Sequence, residues 1–357
     1  MPAAAPGAIA ATRAVEEVMR DHRGRLLAAL IALLPVPYVT WSPGSTLDML
    51  GTFQGQPAIS VKGLPTYPVS GELRMTTVSV TRADSQLNLP EAVFSYWLPH
   101  RDVLPRVAVY PKGKSVEAIR AEETLMMDTS QSDAVVAALR AAGQPVTEMP
   151  MVESVVIAGP ANDKLMPGDL VVKVDAVAVQ SLDDVRRAIR AHAVGEPVVV
   201  TVLRDDRSLN ETITTVSSNE DKSVPVIGVN MGTGYRYDPR ITFGIDPQVV
   251  GPSAGLIFSL AIYSLISPGD ILGGNKVAGT GEITADGTVR AIGGLQEKIR
   301  GAEKAGSKTF LVPADNCRDL EGLESSLTLV KVTTLKDAID SLTTLQNSDG
   351  SKEVPTC

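Results

Sequence analysis

The sequence predicts an α+β chain of several domains: a short N-terminal apolar helix, a β-rich region, a small mixed module and a C-terminal α/β domain. Three observations predict this. The chain has 357 residues, and at roughly 100–200 residues per domain that means two or three domains. Apolar residues make up 44% and charged residues 21%, an ordinary globular balance that leaves enough apolar surface for a core. The hydrophobic pattern also changes its period along the chain, alternating in Gly71–Asp84 and turning helical from about residue 116.

Composition excludes several classes. The net charge is −8 and no Lys/Arg-rich block occurs, which argues against a nucleic-acid binder, because phosphate contacts need a basic face. The two cysteines are Cys317 and Cys357. No CxxC or His/Cys cluster accompanies them, so a zinc site of the usual spacing is not expected. The reading calls for no cofactor and no metal. The three histidines are His22, His100 and His192, which removes histidine from the chemistry of the C-terminal third.

Residues 1–25 are Ala/Pro/Gly-rich and then charged, and read as a disordered cytoplasmic segment. Leu26 to Leu47 carries no charge. Residues 26–42 are expected to be a membrane anchor helix, with Trp41 at the interface. A spanning helix needs about 20 apolar residues; this run is short, and Pro35 and Pro37 interrupt it. A cleaved signal peptide and a buried helix therefore stay open as alternatives. Arg20, Arg23 and Arg25 precede the run, and no Lys or Arg follows until Lys62. That asymmetry orients an anchor with a cytoplasmic N-terminus, a single pass through the cell membrane and the bulk outside.

Residues 43–143 read as a β-rich region ending in a helix over 116–142, and carry no chemical signal of their own. Residues 144–217 form a second unit. Ser181 is the expected N-cap of a helix whose first turn holds Asp183 and Asp184, favoured by the helix dipole. Gly159-Pro160-Ala161, Leu165-x-x-Gly168-Asp169-Leu170 and Val172-x-Val174-Asp175 resemble a PDZ domain of the bacterial protease type. The resemblance implies binding of an extended peptide by strand addition. The alternative is a mixed domain serving as a spacer.

Residues 218–345 form the last domain and 346–357 a polar tail. Ser253 opens an apolar helical run in Gly251-Pro252-Ser253-Ala254-Gly255. A hydroxyl there either caps the helix or acts as a nucleophile near the unpaired N–H groups of the first turn. In Ala291–Gly306, Leu295, Ile299 and Ala302 form an apolar stripe. Lys298 falls on the same side, while Glu297, Arg300 and Lys304 point elsewhere. Such a lysine either snorkels at the core edge or is desolvated, with its pKa lowered toward a usable base. Without histidine, a Ser–Lys pair is the remaining serine chemistry.

With Gly279-Thr280-Gly281-Glu282-Ile283, Asp286-Gly287-x-Val289, Ile292-Gly293-Gly294-Leu295-x-x-Lys298 and Val312-Pro313-x-x-Asn316-Cys317, the domain resembles the Lon proteolytic domain. The resemblance implies a serine endopeptidase with Ser253 as nucleophile, Lys298 as general base and Thr280 orienting the lysine. The backbone N–H groups of Ser253 and Ala254 are the expected oxyanion site. It also implies a ring-forming homo-oligomer, a hexamer, acting on unfolded or membrane-associated proteins. Gly113-Lys114-Ser115 hints at a phosphate loop, but the required first glycine is Ala108, so ATP-independent proteolysis is expected. The arrangement of anchor, PDZ and Lon-type domains resembles the extracytoplasmic branch of that family. The other reading is a PDZ scaffold with a non-catalytic Lon-like domain. Outside the cytoplasm Cys317 and Cys357 are able to pair; the alternative is a buried Cys317 and a loose Cys357.

Overall fold

The computed structural model describes residues 33–205, 207–347 and 353–357. They fall into two compact units: residues 143–240 form one, and the described residues on either side of it form the other. The second unit is therefore inserted into the first. This differs from the boundaries expected from sequence, 143/144 and 217/218, on which residues 43–143 would stand apart from the C-terminal domain.

The first half of the outer unit contains strands β1 (Pro35–Val36), β2 (Tyr38–Asp48), β3 (Glu72–Val80) and β4 (Leu87–Asn88). Helix α1 (Leu89–Trp97), strand β5 (Asp102–Pro105) and helix α2 (Val116–Ala141) follow. The alternation in Glu72–Val80 is the strand β3 that its period predicts. Ser115 caps α2 by accepting from the Ala118 N–H, as expected for a hydroxyl residue there. Sequence reasoning missed α1, although Asn88 and Glu91 form a capping box at its start.

The inserted unit holds β6 (Thr147–Val155), β7 (Leu170–Val174), α3 (Leu182–Arg190), β8 (Pro197–Arg204), β9 (Arg207–Thr214) and β10 (Val229–Arg236). Its sheet runs β9-β8-β7-β6-β10, all antiparallel. Ser181 caps α3 and Asp184 closes the capping box. The core of Val171, Val174, Val185, Val198, Val200 and Ile213 is its own. β10 lies beyond residue 217 because β6 needs a second neighbour, and it pairs with β6 from Val229↔Val155 to Arg236↔Thr147.

The outer unit resumes with α4 (Gly255–Ile266), β11 (Lys276–Gly279), β12 (Glu282–Ile283), β13 (Val289–Arg290), α5 (Leu295–Lys304), β14 (Thr309–Pro313), β15 (Thr328–Val332) and α6 (Leu335–Asn347). Its sheet has the order β15-β14-β11-β3-β2-β5. The decisive pairing is β3 with β11, parallel, from Glu72↔Lys276 to Met75↔Gly279. Leu73 and Met75 are fully buried, so β3 is an interior strand that needs partners on both edges. Helix α4 is apolar on all sides. It is buried against α2, whose Ala134–Leu139 stretch has no exposed residue.

This topology corrects where the expected anchor helix ends. Of residues 26–42, those from Tyr38 onward belong to β2, which pairs with both β3 and β5. Trp41 pairs with Val80 and Asp102 rather than meeting lipid. Among the described residues no helix is long and apolar enough to cross a membrane; residues 1–32 lie outside them. The tail is also held. Lys331 N–H donates to the Pro355 carbonyl at 2.8 Å, and Cys317 and Cys357 form a disulfide.

Because β11 depends on β3, residues 241–357 expressed alone are expected to lack a cooperative thermal transition. Residues 143–240 alone, with their own core, are expected to show one. Differential scanning calorimetry of the two fragments checks this, and a sharp transition in the first would contradict the interleaved fold.

Candidate active site

Ser253 lies in a one-turn helix, Pro252–Ala254, that leads into α4. The chain reaches it through Gly251, whose φ of 93° and ψ of 161° belong to a region that only glycine occupies without strain. Pro252 then starts the helix with its φ already set. Three groups hold this turn from outside. The Ser130 hydroxyl on α2 donates to the Pro252 carbonyl at 3.0 Å. The Gly281 N–H and the Thr280 hydroxyl donate to the Ser253 carbonyl at 2.8 and 2.9 Å. Gly255 makes the fit possible: a Cβ there would come within 2.9 Å of both Ser130 Oγ and Ile283 Cγ2.

Thr280 follows the end of β11 and is 0% exposed. Glycines flank it, and a Cβ on Gly279 would lie 2.9 Å from Ile257 and Leu311. The Thr280 hydroxyl accepts a hydrogen bond from Lys298 Nζ at 3.1 Å while donating to Ser253 O. Ser253 and Lys298 line the same cleft, about 920 Å³ in volume. The three residues singled out from sequence are thus brought together.

Lys298 is 2% exposed. Burial pushes its ammonium down to about 7 from 10.5, and the neighbouring Glu297 carboxyl works weakly against this. Desolvation disfavours the charged form and leaves a substantial neutral fraction near neutral pH. A neutral amine can accept a proton, which an ammonium cannot.

Glu297 departs from the sequence reading, which turned it outward. It is 4% exposed, and burial, with a hydrogen bond to Asp102, pushes its carboxyl up to about 7. The cause is β2 and β3, which pack against α5, together with Asp102 of β5 beside the carboxyl. Trp41, on β2, stands against Gly293 and Gly294, where a Cβ would come within 2.9 to 3.1 Å of its ring. Gly294 opens α5 with φ 69°, so the glycine pair sets the point from which Lys298 is presented. Sequence reasoning missed Ser130, Trp41 and Asp102, all supplied by the N-terminal half. The free signal was an interior-type strand, β3, with no partner nearby in sequence.

Beyond Gly279, β11 ends, but β3 continues from Thr76 to Val80 along the cleft. Among the described strands that edge of Thr76–Val80 has no neighbour, its other edge being paired with β2. Met75, Val78, Met126, Met127 and Val250 give the cleft apolar walls, and Lys114, Arg120 and Glu123 line it as well. In the inserted unit a smaller hollow of about 320 Å³ opens at the start of α3, between Leu182, Arg186, Met149 and Thr233.

Residues 244–344 match the C-terminal proteolytic domain of Lon protease, and residues 130–215 match the PDZ domain. Similar curated proteins include Lon protease 1 of Sorangium cellulosum, 44% identical over 93 residues, which make up 25% of this chain and 11% of that protein. Lon protease of Vibrio parahaemolyticus is 37% identical over 122 residues, 34% of this chain and 15% of that protein. Lon protease 2 of Bacillus subtilis is 34% identical over 110 residues, 30% and 19% respectively. The chain thus spans less than a fifth of the length of these relatives. Among solved structures it is similar to the PDZ domain of the SdrC-like protein of Listeria monocytogenes. The identity is 26%, the coverage 23% of this chain and 86% of that one, and the TM-score 0.22. The protein is a mixed α/β chain that carries a Lon-type proteolytic domain and a PDZ domain. The PDZ match begins within α2 and stops before β10, whereas the compact unit is residues 143–240.

Lys298 ties stability to pH. Between pH 7 and 10.5 the unfolded chain holds a proton on this amine that the folded chain lacks, so stability rises with pH across that window and is flat below it. Lys298→Met, similar in volume and without the desolvation cost, is expected to raise the midpoint of thermal unfolding at pH 7 and to abolish that rise. Thermal melts at pH 7 and pH 10 check both, and an unchanged slope in the variant would count against a buried neutral amine.

Proposed function

We propose that this protein is an ATP-independent serine endopeptidase with Ser253 as nucleophile and Lys298 as general base. The observation that carries the reading is the hydrogen-bonded chain from Lys298 Nζ to the Thr280 hydroxyl to the Ser253 carbonyl, at 3.1 and 2.9 Å. It supports a base held in register with the turn that bears the nucleophile.

In the proposed reaction Ser253 Oγ attacks a peptide carbonyl carbon, and neutral Lys298 takes the hydroxyl proton. The negative charge on the carbonyl oxygen is met by backbone N–H groups of Ser253 and Ala254 at the start of α4, where the helix dipole also favours it. Collapse expels the amine, which takes its proton from Lys298. Water, deprotonated by the Lys298 amine, now neutral again, then attacks the acyl carbonyl, and Lys298 returns the proton to Ser253 Oγ as the acid leaves. Thr280 accepts from Nζ and so aims the nitrogen lone pair. The unpaired edge of Thr76–Val80 fits an extended substrate chain, which would add as a strand and bring one carbonyl to Ser253. Extended binding supports unfolded protein segments as substrates.

The inserted unit is proposed to hold a second extended peptide beside α3, along the edge of β10 that no described strand pairs with, and so to deliver or gate substrate. A location outside the cytoplasm is part of the proposal, supported by the Cys317–Cys357 disulfide, since such bonds persist in oxidising compartments. ATP-independence is supported by Ala108, which stands where a phosphate loop ending in Gly113-Lys114-Ser115 needs glycine.

Cleavage of an unfolded protein is expected without ATP, with kcat/KM rising through pH about 7, the level to which burial pushes Lys298. Ser253→Ala and Lys298→Ala are expected to lower the rate at least ~10⁴-fold, and Thr280→Val by about 10- to 100-fold. No cleavage under any condition would leave peptide binding by the inserted unit as the function. Replacing residues 143–240 with a short linker is expected to change KM for long substrates. Unchanged kinetics would remove the delivery role.

A further inference from the structure

Helix α1 is built inside out. Its buried residues are the small Ala92 and Ser95. Its large apolar residues face solvent: Phe94 is 62%, Tyr96 73% and Trp97 77% exposed, and Leu89 and Val93 are exposed as well. Leu89, Val93 and Trp97 lie at i, i+4 and i+8 with Tyr96 and Phe94 on either side, so the apolar face sweeps about 160° of the helix. Glu91, its one charged residue, falls outside that face. Scattered exposed apolar side chains are ordinary, but five on one nine-residue helix form a patch of the kind that marks a binding surface.

The path of the chain says what covers it. β1 pairs with β4, Pro35↔Asn88, and Asn88 is the N-cap of α1. Antiparallel pairing therefore leads the preceding residues away at the N-terminal end of α1. Leu34 and Leu33 are themselves 59% and 69% exposed. They close an uncharged apolar run, Leu26–Leu34, that follows Arg20, Arg23 and Arg25. A protein groove complementary to α1 would not account for the apolar run that continues from the same spot. A bilayer accounts for both, and Trp and Tyr are the side chains that settle at its interface.

We infer that α1 together with Leu33 and Leu34 is a membrane-docking face that seats the outer unit on a phospholipid surface. The contact is apolar and interfacial, reaching about 5–10 Å into the headgroup and acyl boundary. Because the proposed contact is apolar, zwitterionic vesicles suffice to test it. The inference is independent of the peptidase reading.

The test is flotation of the full chain with phosphatidylcholine vesicles. Val93→Ser/Phe94→Ser/Trp97→Ser is expected to lower the bound fraction at least ~10-fold, with an unchanged circular dichroism spectrum and unfolding midpoint, since those side chains are already outside. In a Trp41→Phe background, Trp97 is the sole tryptophan. Its fluorescence is expected to be quenched by lipids brominated near the headgroup end of the acyl chain. No vesicle binding, or binding that the triple variant retains, overturns the inference. So does bound protein whose Trp97 is not quenched, which would leave docking to the N-terminal run alone. A Trp97 blue shift that depends on protein concentration without lipid would assign the face to a second copy instead.

Discussion

The removal of one amine from water governs the site. An isolated ammonium in an apolar interior is expensive, and the group responds by giving up its proton. Among the described residues no carboxylate forms an ion pair with Lys298, and the partner of Nζ is the neutral Thr280 hydroxyl. The adjacent Glu297 would restore the charge if it were fully ionised, but burial and the Asp102 carboxyl hold its proton on to about pH 7. Two groups of opposite type are thus brought to nearly the same, near-neutral range by the same cause. The stability given up to bury them is offset by the packing of α5 against β2 and β3.

That packing needs both halves of the chain. Sheet order β15-β14-β11-β3-β2-β5 alternates its origin at the point where the site lies: β11 precedes Thr280, and β3 walls the cleft. Ser130 on α2 holds the turn before Ser253, and Trp41 on β2 rests on the glycines that start α5. The inserted unit leaves the chain after α2 and returns before Ile241, so the interleaving survives the insertion. Residues that look remote in sequence are structural neighbours of the nucleophile.

Much of this was legible in the sequence where local rules decide the outcome. The capped helix α3, the alternation in β3 and the Gly-Pro-Ser turn follow from propensity, period and glycine conformation. Ser253, Thr280 and Lys298 could be named because their motifs stand in order over a short span. Long-range pairing was not legible. Nothing in Glu72–Met75 specifies Lys276–Gly279 as its parallel neighbour across some two hundred residues, so the N-terminal half was read as chemically silent. The same blind spot misplaced Trp41, whose apolar neighbours suggested lipid when the missing partner was a strand. Glu297 was turned outward because a helical pattern reports one buried face, and α5 has two. The tail was read only as polar, with a Cys317–Cys357 bond left open; its last residues pair beside β15 and its cysteine is bound.

The account rests on a lysine with a substantial neutral fraction near pH 7. The most direct test is a carbon-13 NMR titration of the lysine Cε signals in the intact protein, with Lys298→Ala assigning the resonance. The account predicts that one lysine titrates near pH 7, well below the others, and that this signal disappears in the variant. A Lys298 signal that titrates with the surface lysines near 10.5 would contradict it, for the amine would then be a charged partner and no base for Ser253.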